Sequence, residues 1–236
     1  MKTVAFVPIK MNNERLPGKN TKQFSNGRPL IGYILTTLKQ VSELDEIYMY
    51  CSNPEIKEFL PEGVKFLRRS ERLDLSTTSF NEVLTSFAQD VDADIYVLTH
   101  ATAPFISRES FSKAILAVQS GKYDSALSVQ KMQEFLWKDG KPFNYDPGVI
   151  PRTQDLKPYY VETCGMYVYT AELIKKEKRR IGHMPFMVEV SKIEASDINT
   201  SDDFIICDAI ANMTGGYCKQ YHLTVLHANT GKKVAA

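Results

Sequence analysis

Residues 4–41, VAFVPIKMNNERLPGKNTKQFSNGRPLIGYILTTLKQV, decide the fold class of this chain. The apolar run Val4–Ile9 is mostly β-branched or aromatic and leads into a polar loop, a pattern typical of a buried parallel strand. From Leu30 to Val41, apolar residues recur at helical spacing, and Pro29 suits the first turn of a helix. The stretch therefore predicts a strand, a loop at its carboxyl end, and a helix.

The same alternation continues through most of the first 130 residues. Helical faces begin near Phe80 and Phe111, and a basic helical segment covers 171–180. The further predicted strands are Glu46–Cys51, Val64–Leu67, Ile95–Thr99, Asp124–Val129, Gly165–Thr170 and Pro185–Val190. A final helix is expected over 201–213. We predict an α/β fold with a mainly parallel, Rossmann-like sheet and helices on both faces.

The segment 131–160 interrupts this alternation. Asp139-Gly140 lies between two short extended runs and predicts a β-hairpin turn. The segment carries more aromatic side chains than a solvated hairpin leaves exposed: Phe135, Trp137, Phe143, Tyr145, Tyr159 and Tyr160. We interpret residues 1–236 as a single domain and 131–160 as an excursion within it that makes homodimer contacts.

Composition excludes several classes of protein. The formal net charge of +1 gives no overall attraction to nucleic acid or to an anionic membrane. No run of about 18 apolar residues is present, so we expect a cytoplasmic protein without a membrane span. The four cysteines form no CxxC pair, which favours reduced, structural thiols.

The loop after the first strand, residues 10–28, is called the cationic loop below. It carries five cations against one anion, Glu14; the cations are Lys10, Arg15, Lys19, Lys22 and Arg28. Positive charge at the carboxyl end of a strand suits a triphosphate. The loop contains neither a Walker A motif nor GxGxxG, so a solvated basic loop is the alternative on physical grounds alone.

A resemblance to a known family makes the prediction for this loop more specific. Residues 7–20, VPIKMNNERLPGKN, resemble the opening loop of the acylneuraminate cytidylyltransferases, the family that includes CMP-sialic acid and CMP-KDO synthetases. Leu16, Pro17, Lys19 and Asn20 match that pattern in type and spacing, whereas Lys10 replaces an arginine. The resemblance implies a nucleotide-binding set of Lys10, Asn12, Arg15, Lys19, Asn20 and, beyond the loop, Arg68.

Three further segments support the resemblance: 67–73 (LRRSERL), 98–105 (LTHATAPF) and 152–156 (RTQDL). Arg68 matches in the first, although its neighbours Arg69 and Arg72 leave room for a shift of one position or for an exposed basic cluster. The other two segments imply acceptor-binding residues: His100, Thr102, Arg152, Gln154 and Asp155. A structural histidine at 100 and a loop-bracing ion pair of Arg152 are the alternatives.

Residues 197–204, DINTSDDF, resemble the family segment before the last helix, where Asn199 replaces a second aspartate. The resemblance implies a Mg²⁺ site with Asp197 and Asn199 as ligands, and a catalytic pair of Lys19 and Asp197. Mg²⁺ prefers oxygen ligands and retains waters, so one carboxylate suffices when phosphates supply the rest. The alternatives are a turn or capping role for Asp197 and a surface position for Lys19.

These observations predict a Mg²⁺-dependent enzyme that transfers CMP from CTP to a small acidic acceptor and releases pyrophosphate. The acceptor is a sialic acid or related nonulosonate, with KDO or a phosphonate as the alternatives. A glycosyltransferase of similar architecture is disfavoured, because no DxD-like pair follows the strand that ends near Leu98. A nonenzymatic nucleotide-binding relic is the remaining alternative.

Overall fold

The computed structural model describes residues 1–13 and 15–213 and forms a central seven-stranded sheet. In chain order its strands are β1 (Thr3–Ile9), β2 (Glu46–Cys51), β3 (Val64–Arg68), β4 (Ile95–Thr99), β5 (Ser125–Met132), β8 (Tyr159–Thr170) and β9 (Pro185–Glu189). The hairpin strands β6 (Trp137–Lys138) and β7 (Lys141–Pro142) form a separate small sheet. The helices are α1 (Leu30–Leu38), α2 (Phe80–Asp90), α3 (Arg108–Gln119), α4 (Ala171–Glu177) and α5 (201–213). Glu14 and Cys218 lie outside the described residues.

The sheet order is β3-β2-β1-β4-β8-β5-β9. β1 pairs in parallel with β2 and with β4, and β2 pairs in parallel with β3. β8 runs antiparallel to both of its neighbours, β4 and β5, and is the one strand of the central sheet to do so. The prediction of a mainly parallel sheet is confirmed.

Helices cover both faces of the sheet, as predicted. Because side chains alternate along a strand, Ala5 and Val7 of β1 join the core beneath α1 and α3, whereas Val4 and Phe6 join the core beneath α2 and α4. The α2 helix begins with a capping box, in which the Ser79 hydroxyl and the Glu82 side chain satisfy each other's backbone N–H groups.

The hairpin turn lies at Asp139-Gly140, where both residues have positive φ, 52° and 74°. This conformation is the one that a two-residue hairpin requires. The ends of the predicted excursion differ from expectation, because Lys131 pairs with Tyr160 and Met132 with Tyr159 as continuations of β5 and β8. The irregular segment therefore covers only the residues between those two strands.

The parallel strands β1 to β4 end at one edge of the sheet, and this edge carries the loops that matter for function. A third apolar cluster fixes the cationic loop there. Leu16 and Phe24 of the loop pack with Ile198, Phe204 and other residues around α5. The loop after the first strand is thereby held beside the turn that precedes the last helix.

Within the described residues, no helix has the length and apolar character needed to cross a membrane. The described cysteines, Cys51, Cys164 and Cys207, are all free thiols.

Candidate active site

The cationic loop is braced by its own polar groups. Asn20 is 6% exposed, and its Nδ2 donates to the carbonyl oxygen of Lys10 at 3.2 Å and to Oδ1 of Asn13 at 3.3 Å. Gly18, at φ 65°, turns the chain, and its carbonyl oxygen accepts from the N–H of Lys22 at 3.1 Å. Asn20, one of the predicted nucleotide-binding residues, thus braces the loop from within.

Lys19 reaches across to the turn at residues 197–203, called the acidic turn below. Its Nζ donates to the main-chain oxygen of Ile198 at 2.8 Å. Partial burial lowers the pKa of Lys19, an effect that Asp197 and Asp203 oppose and Arg15 reinforces. The predicted catalytic pair, Lys19 and Asp197, therefore shares one site, and Arg15 lies within electrostatic reach of it.

Asp197 and Asn199 lie together at the acidic turn. Nδ2 of Asn199 donates to Oδ2 of Asp197 at 2.6 Å. This contact uses the amide nitrogen of Asn199 and does not involve the amide oxygen of the same side chain. Both side chains are half-buried and lie beside Lys19.

Asp203 belongs to the helix cap. Its Oδ2 accepts from the backbone N–H groups of Asn199 at 2.9 Å and Thr200 at 2.8 Å, and Oγ1 of Thr200 accepts from the N–H of Asp203. Burial raises the pKa of Asp203, but these hydrogen bonds outweigh it and the pKa is lowered overall. Of the two candidate N-cap residues in the sequence, Thr200 and Ser201, Thr200 is the one that caps the helix, and its partner could have been read from the Thr200-x-x-Asp203 spacing.

Asp197 and Asn199 supply a donor set that fits Mg²⁺. Among the described residues, no group of three or more His, Cys, Asp or Glu side chains is arranged to hold a metal ion. One carboxylate and one amide oxygen fall short of the four-ligand sets that structural zinc requires. They match Mg²⁺, which completes its octahedron with waters and substrate phosphates.

His100 follows β4 and is half-buried at the same edge. Its ring centroid lies 5.4 Å from that of Phe80. Burial, followed by the positive charge of Arg180, lowers the pKa of His100 to about 4, so the imidazole is neutral at pH 7. The next turn joins the acidic turn directly, because the carbonyl oxygen of Thr102 accepts from the N–H of Ile198 at 2.9 Å.

A cavity of about 510 Å³ opens beside the cationic loop, at the carboxyl ends of β1, β2 and β3. It is lined by Met11, Asn12, Ser52, Asn53, Pro54, Arg68, Glu71, Asp74 and Leu75. We call it the donor cavity. It contains two of the predicted nucleotide-binding residues, Asn12 and Arg68.

The three neighbouring arginines after β3 have different surroundings. Arg68 is largely exposed at the donor cavity and has a weak contact with Glu71 at 3.6 Å. Arg69 is buried, and its Nη2 donates to Oδ1 of Asp74 at 2.6 Å. Arg72 lies outside the cavity. Of the first two, Arg68 is the one that faces the cavity, in agreement with the sequence match.

Arg152, Gln154 and Asp155 make their contacts within the segment 131–160. Nε and Nη2 of Arg152 donate to the two carboxylate oxygens of Asp155 at 2.7 and 3.0 Å. The carbonyl oxygen of Gln154 accepts from Nε2 of Gln133 at 3.1 Å. The loop-bracing ion pair that was the alternative for Arg152 is present, and no contact in the described residues links these three side chains to Lys19, Asp197 or His100.

Arg180 is a residue that sequence reasoning did not single out. Its guanidinium carbon lies 3.6 Å from the centroid of the Tyr167 ring and 5.3 Å from that of Phe80. It belongs to a stretch rich in Lys and Arg, and nothing in that composition distinguishes one cation from another. Only the fold brings it beside His100.

Comparison with known proteins identifies the family of this chain. The profile of the cytidylyltransferase family matches residues 4–186. The chain is 25% identical over 182 residues to N-acylneuraminate cytidylyltransferase A of Danio rerio, a match covering 73% of this chain and 42% of the relative. It is 31% identical over 123 residues to CMP-N,N'-diacetyllegionaminic acid synthase of Legionella pneumophila, covering 49% of this chain and 52% of the relative. The chain therefore spans about half of the length of these curated relatives.

A solved structure has the same fold. The structure of a CMP:2-keto-3-deoxy-manno-octonic acid synthetase complexed with CTP superimposes with a TM-score of 0.69 at 16% identity. The superposition covers 90% of this chain and 99% of that chain. This likeness concerns the fold alone, whereas the family profile extends over residues 4–186 of the 236 and so over well beyond half of the sequence. The protein belongs to the cytidylyltransferase family.

Proposed function

We propose that this protein transfers CMP from CTP to a small acidic acceptor, a sialic acid or related nonulosonate, and releases pyrophosphate. The observation that carries the proposal is the contact between Lys19 and the acidic turn at Ile198, made by the same cationic loop that lines the donor cavity with Asn12. One edge of the sheet thereby combines a phosphate-binding cation, a carboxylate at Asp197 and a space for a nucleoside. CMP transfer from CTP uses all three.

The donor cavity takes the cytidine, with Asn12 and Arg68 at its wall. The triphosphate then extends toward the cationic loop, where Lys10, Arg15 and Lys19 supply positive charge. A lysine ammonium serves as a movable point charge, so Lys19 can leave the oxygen of Ile198 and follow the phosphates. Partial burial of Lys19 strengthens its interaction with a phosphate relative to an exposed lysine.

The acceptor hydroxyl oxygen attacks the α-phosphorus. A new bond forms between these two atoms, and the bond from the α-phosphorus to the oxygen that bridges to the β-phosphorus breaks. Pyrophosphate departs with that electron pair, and the hydroxyl proton passes to solvent water. Catalysis of this step depends on position and charge, which the cations around Lys19 provide.

Mg²⁺, when bound, supplies further positive charge to the α-phosphate and to the departing pyrophosphate. Asp197 would hold it, with the amide oxygen of Asn199 as a second ligand. The contribution of the chain here is to hold both oxygen donors beside Lys19.

His100 orients the acceptor. Its imidazole is neutral at pH 7 and can accept a hydrogen bond from the acceptor hydroxyl. A pKa of about 4 makes it a weak base, so it directs the hydroxyl toward the phosphorus more effectively than it retains the proton. Thr102 is placed next to it, in the turn that contacts Ile198. Arg152, Gln154 and Asp155 remain proposed acceptor residues at the margin of the site.

The names of the curated relatives support an acidic sugar as acceptor, because those proteins are named for N-acylneuraminate and for N,N'-diacetyllegionaminic acid. KDO and a phosphonate are the competing acceptors. Besides Lys10 and Asn199, two positions on the acceptor side depart from the pattern of the family that this chain resembles: His100 stands in place of a glutamine, and Ile106 in place of an arginine. The acceptor is accordingly the part of the reaction that experiment has to identify.

The deciding measurement is pyrophosphate release from CTP with Mg²⁺, across sialic acids, legionaminic-type sugars, KDO and small phosphonates. ATP, GTP and UTP are the nucleotide controls. We expect release with CTP and one acceptor class, abolished in Asp197→Ala and retained in Asp202→Ala, an exposed neighbour. CTP binding without release for any acceptor would instead identify a nucleotide-binding relic.

We further propose a homodimer formed through the hairpin. Trp137 is 63% exposed and Phe143 51% exposed, and Val149 and Ile150 in the same irregular segment are also exposed. Exposed apolar side chains concentrated in one segment are typical of protein contacts. Light scattering should give twice the chain mass for the wild type and the monomer mass for Trp137→Glu. Leu116→Glu, on the exposed side of α3, is the control that should remain dimeric.

A further inference from the structure

The arginines of this chain divide by how firmly they are paired. Arg69, Arg72, Arg152 and Arg179 each make an ion pair of 2.6 to 2.8 Å with a carboxylate. Such short pairs commit a guanidinium to the folded structure. Arg68 and Arg180 have only long contacts, 3.6 Å to Glu71 and 3.4 Å to Glu162. Arg68 lines the donor cavity, whereas Arg180 follows α4 and lies near His100.

Arg180 is fixed in place by aromatic rings. Lys178, in the left-handed conformation at φ 53°, ends α4 and reverses the chain. Arg179 then pairs with Glu177, whereas Arg180 lies over the ring of Tyr167 in β8. Stacking on an aromatic face holds the guanidinium without using its N–H groups.

This position is next to the reacting groups. The ring of Phe80 lies 5.3 Å from the guanidinium carbon of Arg180 and 5.4 Å from the ring centroid of His100. β4 and β8 pair with Leu98 opposite Tyr167, so the ring under Arg180 is two residues from His100 in the sheet register. The lowered pKa of His100, which Arg180 helps to cause, agrees with this proximity.

The donors of Arg180 are largely unused. The guanidinium has five N–H donors, and within the described residues its one hydrogen bond is the long one to Glu162. Glu162 also accepts a hydrogen bond from the hydroxyl of Tyr167, so its charge is shared between two partners. The side chain of Arg180 is 23% exposed, so a ligand can reach it. Its partly buried surroundings have a lower dielectric constant than water, which strengthens an ion pair formed there.

We infer that Arg180 binds the carboxylate of the acceptor in a bidentate pair and so selects acidic sugars over neutral ones. The inference rests on the proposed function and adds to it the residue that recognises the acid. The alternative source of this recognition is Arg152, but two of its N–H donors already form a bidentate pair with Asp155. Without acceptor, Glu162 pairs weakly with Arg180, and the carboxylate of the acceptor then displaces Glu162.

The test compares an accepted sugar acid with its carboxamide in the wild type, Arg180→Met, Arg152→Met and Arg179→Met. Methionine keeps an unbranched apolar stem against Tyr167, and thermal unfolding checks that each variant is folded. Loss of a charge-assisted pair should raise the acceptor KM of Arg180→Met about 10- to 100-fold for the acid. Its KM for CTP and its use of the carboxamide should stay within about threefold. Arg179→Met, at the neighbouring arginine that pairs with Glu177, is the matched control and should keep the wild-type preference for the acid.

The outcomes distinguish a failure of the role of Arg180 from a failure of the proposed function. A wild type that transfers CMP, together with an Arg180→Met variant that still prefers the acid, overturns the role of Arg180 alone. A loss of acid preference in Arg152→Met with none in Arg180→Met also overturns it. A wild type that releases no pyrophosphate with any acceptor overturns the proposed function, and the role of Arg180 with it. Partial recovery of acid preference in Arg180→Lys supports the inference, because lysine restores the charge without the fork.

Discussion

The ammonium nitrogen of Lys19 and the main-chain oxygen of Ile198 form a 2.8 Å hydrogen bond across 179 residues of sequence. The bond joins the cationic loop after the first strand to the acidic turn before the last helix. Ile198 lies between Asp197 and Asn199, so Lys19 is placed where a triphosphate would meet both groups. In this structure Lys19 joins the two segments, and under the proposed function it would exchange this contact for the phosphates of the nucleotide.

Replacement of Lys19 by alanine should lower kcat/KM for CTP by about 100-fold, because a partly buried charge on the phosphates is lost. The free energy of unfolding should fall by only about 1 kcal/mol, since one hydrogen bond is removed. Steady-state kinetics and urea denaturation measure the two effects. Lys39→Ala, at an exposed position after α1, should change neither quantity. Equal kinetic constants in both variants would remove Lys19 from the mechanism.

The fold was largely predictable because its signals are local. The apolar run of β1 and the helical spacing of apolar residues in α1 are patterns within short stretches of sequence. In the structure these apolar residues are buried, because helices cover both faces of the sheet. β8 was the exception, since only Gly165–Thr170 was predicted as strand. In its first half, from Tyr159 to Cys164, apolar and polar residues alternate too little to predict a strand. This half is a strand because it pairs with β5.

The site was predictable only where a residue lies next to a structural signal. Lys19 and Asp197 lie within segments that resemble those of a known family, and Thr200 is followed at the correct spacing by Asp203. Arg180 has no such signal, because its importance comes from the rings of Tyr167 and Phe80, which are distant in sequence. Long-range contacts of this kind are set by the sheet order rather than by any nearby motif.

The amide at Asn199 should weaken the binding of Mg²⁺ relative to a carboxylate. In Asn199→Asp the hydrogen bond to Asp197 is replaced by repulsion between two carboxylates, which should lower the melting temperature without metal. The added charge should reduce the Mg²⁺ concentration needed for half-maximal activity by about 3- to 10-fold.

Thermal unfolding with and without Mg²⁺ gives a readout independent of turnover, and the variant should gain more stability from Mg²⁺ than the wild type does. Asp202→Asn changes the charge at an exposed neighbour and is the control. An unchanged response to Mg²⁺ in Asn199→Asp would place the metal elsewhere.

His100 should make the protein less stable in mild acid. Burial and Arg180 lower its pKa from 6.5 to about 4 in the folded protein. Between these two values the unfolded chain binds a proton that the folded chain does not, so the free energy of unfolding falls as the pH drops. The contribution of this one group over that range is about 1 to 3 kcal/mol.

Urea denaturation at pH 7.0, 5.5 and 4.5, a series chosen to span the range between the two pKa values, tests this assignment. His100→Gln removes the titrating group and should show a shallower decline than the wild type. Parallel declines in the two proteins would mean that other groups, such as Asp203 and its cap, control the acid response.

Gly165 packs too closely against Ile106 to accept a side chain. A Cβ atom built at Gly165 would lie 2.8 Å from Cδ1 of Ile106. The backbone has little room to move, because the carbonyl oxygen of Gly165 accepts from Oγ1 of Thr99 at 2.7 Å. Gly165→Ala should therefore destabilise the protein by about 1 to 3 kcal/mol, the usual range for overpacking.

In Gly32→Ala the new Cβ meets its nearest atom at 3.5 Å, an ordinary contact, so this control should retain wild-type stability. Adding Ile106→Val, which shortens the opposing side chain, should recover most of the loss in Gly165→Ala; a double variant as unstable as the single one would show that the strain arises from the backbone and not from Ile106.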